Sequence, residues 1–319
     1  MSLLSVKGLK KYFHTNSGVL HAVDGIDFDL SENETLGVVG ESGCGKSTLG
    51  RVVLHLLEPT AGSITFRGED ITDPSRERLK ALRKEMQMIF QDPYASINPR
   101  MTVEETIVEP LQIYSLCSSK EEYHRRALEI MDTVGLAERY ANTYPHELDG
   151  GRRQRIGIGR AIALDPKFIV CDEPVSALDV SIQAQVLNLM RDLQRERGLS
   201  YIFITHDLSV VRHISHQIMV MYLGCCVENA PTDELFEHPC HPYTKALLSA
   251  IPQVKKEKRR DRIIMKGEIT SPIDPPEGCR FASRCSYARD ICYSATPELR
   301  ELVPGHAAAC HCVKSINGL

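Results

Sequence analysis

The chain has 319 residues, of which 42% are hydrophobic and 25% charged, and a formal net charge of −4. That length suits one large domain with an appendage, or two domains, and the slight acidity gives no whole-chain reason to expect nucleic acid as a partner. No stretch approaches the roughly 20 uncharged apolar residues a membrane span needs, and the start MSLLSVKGLKKYF has too short an apolar run and the wrong flanks for a secretory signal. The expectation is a cytoplasmic protein, in which the 11 cysteines serve as metal ligands, reactive thiols or small buried side chains rather than as disulfides.

The N-terminal stretch and GSITFRGEDI (62–71) alternate apolar and polar residues, as half-buried antiparallel strands do. Short apolar runs follow at TLGVVG (35–40), MQMIFQ (86–91), FIVCDE (168–173), YIFITH (201–206) and QIMVMYLG (217–224). Helical patterns separate many of them: STLGRVVLHLL (47–57), SIQAQVLNLMRDLQRERG (181–198) and LSVVRHIS (208–215). Buried strands alternating with helices predict an α/β fold around a largely parallel sheet. Residues 95–165 carry helical periodicity, as in SKEEYHRRALEIMDTVGL (119–136), and few strand signals, so they read as a helical insertion. Beyond residue 230 come a short amphipathic helix in HPCHPYTKALLSAIP (238–252), a basic run KKEKRRDR (255–262) that reads as a solvated linker, and a Pro- and Cys-rich tail. The expected domains are 1–230 and an extension over 231–319, with the boundary near 231–254.

GESGCGKST (40–48) fits G-x-x-x-x-G-K-[ST], between a predicted strand and a predicted helix. Glycines at 43 and 45 let backbone N–H groups curl around phosphate oxygens, and the helix adds its positive N-terminus. Gly40, Ser42, Gly43, Cys44, Gly45, Lys46, Ser47 and Thr48 form this loop; Lys46 would bridge the β- and γ-phosphates, and the Ser47 hydroxyl would ligate Mg²⁺. Cys44 stands at a variable position of the motif and needs no redox role. In FIVCDEP (168–174) two acids emerge at the end of an apolar strand. Asp172 is suited to hold Mg²⁺ through its water shell, and Glu173 to polarise an attacking water.

These stretches, with Gln91 in IFQDP, LDGGRRQR (148–155), SALD (176–179) and His206 in ITHD, follow one another in an order and spacing that resemble the ATP-binding subunit of an ABC transporter. The resemblance covers roughly residues 1–230. HPYTKALL (241–248) and the cysteine tail extend it toward the oligopeptide/dipeptide (and nickel) import branch, most like the second ATPase subunit of a paired system. The resemblance implies an ABC-type core with an antiparallel β portion, a helical insertion and a Cys-rich extension. It implies Mg²⁺-dependent ATP hydrolysis, with Phe13 (or else Tyr12) stacking on adenine. Gln91 would sense Mg²⁺ and the attacking water, Glu173 would be the general base, His206 would contact the γ-phosphate, and Asp179 would sit at a dimer seam. Such ATPases work as head-to-tail pairs, so this chain would pair with a second ATPase subunit and dock on two membrane permeases through DPYASINPRMT (92–102), at the cytoplasmic face of the membrane. A solute-binding protein would deliver peptide or nickel. A soluble, non-transport ABC ATPase is the alternative of another class, and a metal or redox sensor using the ATPase as a switch is a third.

The family's signature loop reads L-S-G-G-Q, whereas here it is Leu148, Asp149, Gly150, Gly151 and Arg152. This loop would face the partner's ATP. Asp caps a helix as well as Ser does, yet two like charges about 4 Å apart at an effective dielectric near 20 cost roughly 4 kcal/mol. Arg152, Arg153 and Arg155 are placed to offset part of that. The expectation is an asymmetric pair, with one ATP site built differently.

The tail holds Cys279, Cys285, Cys292, Cys310 and Cys312. Their separations are not those of a zinc ribbon, but they leave four thiolates for a soft metal centre. By resemblance to the import branch, Cys279, Cys285, Cys292 and Cys310 would hold a [4Fe–4S] cluster, with Cys312 the alternative fourth ligand; zinc or reduced thiols are the other outcomes. The cluster's role would be to clamp a small, core-poor extension. Cys117, Cys171, Cys225, Cys226 and Cys240 lack such spacing and read as buried or incidental.

Overall fold

The computed structural model describes residues 2–251, 262–267 and 271–318; all but the last residue of the basic run 255–262 lies outside them. Along the chain come β1 (Ser2–Thr15), β2 (Gly18–Ser31), β3 (Thr35–Val39), α1 (Lys46–Val53), β4 (Ala61–Phe66) and β5 (Glu69–Asp70). They are followed by α2 (Arg76–Glu85), β6 (Met86–Ile89), α3 (Pro93–Ser96), α4 (Val103–Ile113), α5 (Lys120–Thr133) and α6 (Gly150–Ile162). Then come β7 (Phe168–Asp172), α7 (Val180–Arg197), β8 (Ser200–Thr205), α8 (Leu208–Ile214), β9 (Gln217–Tyr222) and β10 (Cys225–Pro231). The chain closes with α9 (Thr232–Glu237), α10 (Pro242–Ser249), α11 (Asp290–Ser294), β11 (Arg300–Val303), β12 (His306–Ala308) and α12 (Val313–Asn317). These elements form two compact units: Met1–Ser31, Thr35–Asp73 and Thr205–Leu319 in one, and Glu32–Glu34 with Pro74–Ile204 in the other.

In the first unit, β2, β1, β4 and β5 form an antiparallel sheet. Its period-2 pattern buries one face: Leu4 opposes Leu30 and Phe66, and Val6 opposes Phe28 and Ile64. The fully buried β3 runs parallel to β9, and β10, β12 and β11 continue antiparallel from β9. Val39, Val211, Ile218, Val220, Leu235, Tyr243, Leu248 and Phe281 share one apolar cluster. Tyr222, Tyr243 and Phe281 meet edge-on or tilted, with ring centroids 4.8–5.4 Å apart. Full burial of such side chains is worth about 1.5–3 kcal/mol each. Strand β12 and Phe281 thus build the extension into this unit's own sheet and core.

In the second unit, β8, β7 and β6 are parallel, with Phe168 opposite both Met86 and Ser200. The stretch 95–165 carries α4, α5 and α6 and, among the described residues, no strand. Two ends differ from the sequence pattern. The helix predicted over 47–57 stops at Val53, because His55 adopts φ +53° and turns the chain. The run FIVCDE yields a strand only to Asp172, because Glu173 leaves the extended conformation at φ +47°.

Candidate nucleotide site and cysteine centre

The loop 40–48 connects β3 to α1, and its shape demands glycine. A Cβ on Gly45 (φ +102°) would lie 1.9 Å from the Ala22 carbonyl oxygen, and one on Gly40 (φ +155°) would lie 2.2 Å from that of Met221. Gly45 caps α1 and offers no side chain to its first N–H groups, which leaves the positive helix end for an anion. Lys46 is 5% exposed. Its ammonium donates to the carbonyls of Gly40 and Glu41, both at 2.9 Å, and lies 3.8 Å from Cys44 Sγ. Burial pushes the Cys44 thiol up, with Lys46 opposing, so Cys44 remains a neutral packing group.

Phe13 and Tyr12 differ in what already occupies them. The Tyr12 ring stacks on His21 at 4.0 Å and its hydroxyl donates to Asp24, whereas the half-buried Phe13 ring meets only the flexible Lys11 ammonium at 5.0 Å among the described ring contacts. His206 follows β8, exposed, just ahead of α8; Asp207 caps that helix by accepting from the Ser209 N–H at 2.7 Å.

In the second unit, Asp172 is 1% exposed at the end of β7. Glu173 sits beyond it in the left-handed region, which costs a non-glycine residue of order 1–3 kcal/mol and persists where the surroundings enforce it. Its N–H donates to the Ile204 carbonyl at 2.9 Å, which pins the bend. The Glu173 carboxylate accepts from Gln91 Nε2 at 3.1 Å, so two side chains distant in sequence are joined directly. Asp179 is the N-cap residue of α7, exposed and without a side-chain capping bond.

The signature loop opens α6. Asp149 caps that helix, its carboxylate accepting from the Arg152 N–H at 2.8 Å. The same carboxylate is paired with the Arg152 guanidinium. Of the three arginines expected to offset Asp149, only Arg152 does so. Arg153 turns away to the Pro145 carbonyl at 2.5 Å and stacks over Tyr94, and Arg155 donates to the Val134 carbonyl at 2.6 Å. A Cβ on Gly151 would lie 2.6 Å from Ile182 Cγ2, so that glycine lets α6 approach α7 as well as shaping the loop.

The five tail cysteines converge. Cys292 and Cys312 are buried with Ala282, and Cys279 and Cys310 pack against them. The Cys312 thiol is hydrogen-bonded to Cys292. Cys279 N–H donates to the Cys292 carbonyl at 2.7 Å, closing the loop between those two residues. Burial pushes the Cys279 thiol to about 11 and that of Cys310 to about 12, with neighbouring thiolates adding to the rise. Such a packed donor set resists ionising alone and is the kind a soft cation stabilises as thiolates. Cys285 lies within electrostatic reach of Cys292 and Cys312, and Cys310 and Cys312 belong to the same cluster, so the geometry does not rank those two as fourth ligand.

Two features were not anticipated. Glu228 is fully buried and accepts from the N–H groups of Cys240 (2.6 Å) and His241 (2.8 Å) and from the His306 ring (2.8 Å), tying β10, α10 and β12 together. Glu41, a variable position of the phosphate loop, is gripped by Tyr243 and Arg284. An acid inside the apolar run CCVENAP was a visible hint of the first; nothing local signalled the second.

Known proteins resemble the chain throughout. The ABC transporter family matches residues 23–176, and the oligopeptide/dipeptide transporter C-terminal region matches residues 227–292. The oligopeptide transport ATP-binding protein AppF of Bacillus subtilis (strain 168) is 51% identical over 320 residues, covering 97% of each protein. OppF of the same organism, also an oligopeptide transport ATP-binding protein, is 52% identical over 309 residues, covering 97% of this chain and 96% of OppF. Among solved structures, the dimeric post-hydrolysis state of the ATP-binding cassette MJ0796, bound to ADP and Pi, superposes with a TM-score of 0.66 at 29% identity, over 72% of this chain and 98% of that one.

Proposed function

The chain belongs to the ATP-binding proteins of oligopeptide-import ABC transporters, and from that premise we propose that it energises the import of di- or oligopeptides. It is an ATPase with the ABC fold. The observation that carries the site reading is Glu173, bent out of β7 and hydrogen-bonded to Gln91. A carboxylate so held accepts the proton of an attacking water, and Gln91 orients that water. Gly40, Ser42, Gly43, Cys44, Gly45, Lys46, Ser47 and Thr48 cradle the phosphates, and Lys46 exchanges its loop carbonyls for phosphate oxygens. Ser47, Gln91 and Asp172 would hold Mg²⁺, which when bound neutralises charge on the phosphates. Phe13 is the adenine platform, His206 contacts the γ-phosphate, and Asp179 lies at the seam of the pair.

Residues 1–230 form the ATPase and 231–319 its extension. The pair is a heterodimer, docked on two permeases at the cytoplasmic face through the segment around Tyr94, which is 65% exposed, and fed by a solute-binding protein. Among the described residues no helix is long and apolar enough to cross a membrane. The partner's nucleotide meets Asp149 and Arg152 of the signature loop, and that site turns over differently. Cys279, Cys285, Cys292 and Cys310, with Cys312 in reserve, suit a [4Fe–4S] cluster that fastens the extension. Absorption near 400 nm with stoichiometric iron after anaerobic purification supports it; zinc without iron sinks it. Glu173→Gln in the assembled transporter should lower ATP turnover roughly 10²–10⁴-fold at the site it serves. Equal loss from the partner's matching substitution would sink the asymmetry but not the assignment of the base.

A further inference from the structure

The phosphate loop is held from outside by the cysteine tail. Every polar group of Glu41 is engaged within the first unit. Its N–H donates to the Tyr243 hydroxyl at 2.9 Å, its carbonyl accepts from Lys46 at 2.9 Å, and its carboxylate takes a two-pronged grip from Arg284 at 2.6 and 3.1 Å. Tyr243 and Arg284 both belong to the stretch 231–319, and both are buried, at 0% and 7% exposure. On the other flank, Arg280 donates to the Leu223 carbonyl and pairs with Asp24. The adjoining Gly224 N–H then donates to the Cys44 carbonyl of the phosphate loop at 2.9 Å. Arg280 directly follows Cys279, and Arg284 directly precedes Cys285. Two of the clustered thiols are thus one residue away from the two arginines that bracket the loop.

We infer that Arg284 and Arg280 are positioning residues for the phosphate loop, so that order in the cysteine segment sets nucleotide affinity. The inference rests on the nucleotide site proposed above, but not on which metal, if any, the thiols hold. Arg284 acts through Glu41: with that grip in place, the Glu41 carbonyl stays where it steadies Lys46, and the loop meets phosphate already shaped. Without it the loop must be ordered at the expense of binding. Because such coupling is reciprocal, nucleotide must in turn steady the cysteine segment by the same factor.

The test uses the full chain as purified, with two readouts. One is the dissociation constant of a non-hydrolysable ATP analogue; the other is the hydrogen-exchange rate of the Arg284 and Cys285 backbone amides, which donate to the Phe281 and Ala282 carbonyls at 3.0 and 3.2 Å, with and without that analogue. In the wild-type chain the analogue should slow that exchange. Arg284→Gln and Glu41→Gln should each weaken analogue binding on the order of tenfold, within the usual span of coupling, and should abolish that protection. Arg284→Lys, which keeps the charge but not the fork, should recover part of both. If Arg284→Gln does not fold, Glu41→Gln and the wild-type protection measurement carry the same test. Wild-type affinity in both folded variants, or amide exchange indifferent to analogue in the wild-type chain, overturns the inference alone. A wild-type chain that binds no nucleotide, with Lys46→Ala indistinguishable from it, overturns the nucleotide site and the inference with it.

Discussion

The phosphate loop and the signature loop are alike on paper: each is a glycine pair or near-pair opening a helix, followed by a basic residue. Their geometry is opposite. At α1 the capping residue is Gly45, which has no side chain to offer the first N–H groups, and Lys46 is turned back onto loop carbonyls. At α6 the capping residue is Asp149, its carboxylate takes the Arg152 N–H, and the same carboxylate holds the Arg152 guanidinium. A glycine-rich helix start is therefore not in itself a phosphate cradle. What decides is whether the chain's own side chains have already used the helix end.

The strongest way to sharpen this contrast is to remove the cation from the open loop. Lys46→Ala should reduce ATP turnover by roughly 10²–10³, the loss typical of deleting one preorganised donor to developing charge. Its thermal stability should change little by comparison, because Lys46 stabilises carbonyls that water can reach once the side chain is gone. A variant with near-normal turnover would mean that phosphate is held elsewhere.

Gly151 separates shape from charge in the closed loop. Gly151→Ala places a methyl against Ile182 Cγ2, a branched side chain packed between α6 and α7. Overpacking of this kind costs about 1–3 kcal/mol, readable as a lowered denaturation midpoint with an unchanged slope. The corresponding substitution at Gly45 meets backbone rather than side chain and should prevent the loop from forming at all.

How much of this was legible in the sequence divides along the same line. Strand β7, the phosphate loop and the capping role of Asp149 are local: a few adjacent residues fix apolar burial, backbone freedom or a side-chain-to-backbone bond. The partnership of Asp149 was legible only as a set of three arginines. Helix phase decided among them, turning Arg153 and Arg155 toward carbonyls of neighbouring turns. The Gln91–Glu173 bond spans 82 positions and the Arg284–Glu41 pair spans 243. No periodicity carries information over such distances, so only the family resemblance pointed to the first and nothing pointed to the second. The clustered thiols stand between these cases: their number was plain, but not which four would converge, because the fold gathers five.

The smallest effects are expected where the closed loop balances itself, and their order is the informative part. Arg152→Ala leaves the Asp149 carboxylate without its partner, and in the pair proposed above that carboxylate would face the other subunit's phosphates. Screened by solvent, since both side chains are about half exposed, the exposed anion should weaken nucleotide at that second site on the order of tenfold or less. Asp149→Ser does the reverse. Serine caps α6 as well, so stability should stay within about 1 kcal/mol. Arg152 is then released to donate to phosphate, and turnover at the second site should rise severalfold or hold steady. The double variant should fall between the two, and the cycle should show a coupling of about 0.5–1 kcal/mol, the size of an exposed ion pair. A fall in turnover for Asp149→Ser would mean that the carboxylate itself takes part at the partner's nucleotide, and that the pairing with Arg152 is given up when the two subunits close.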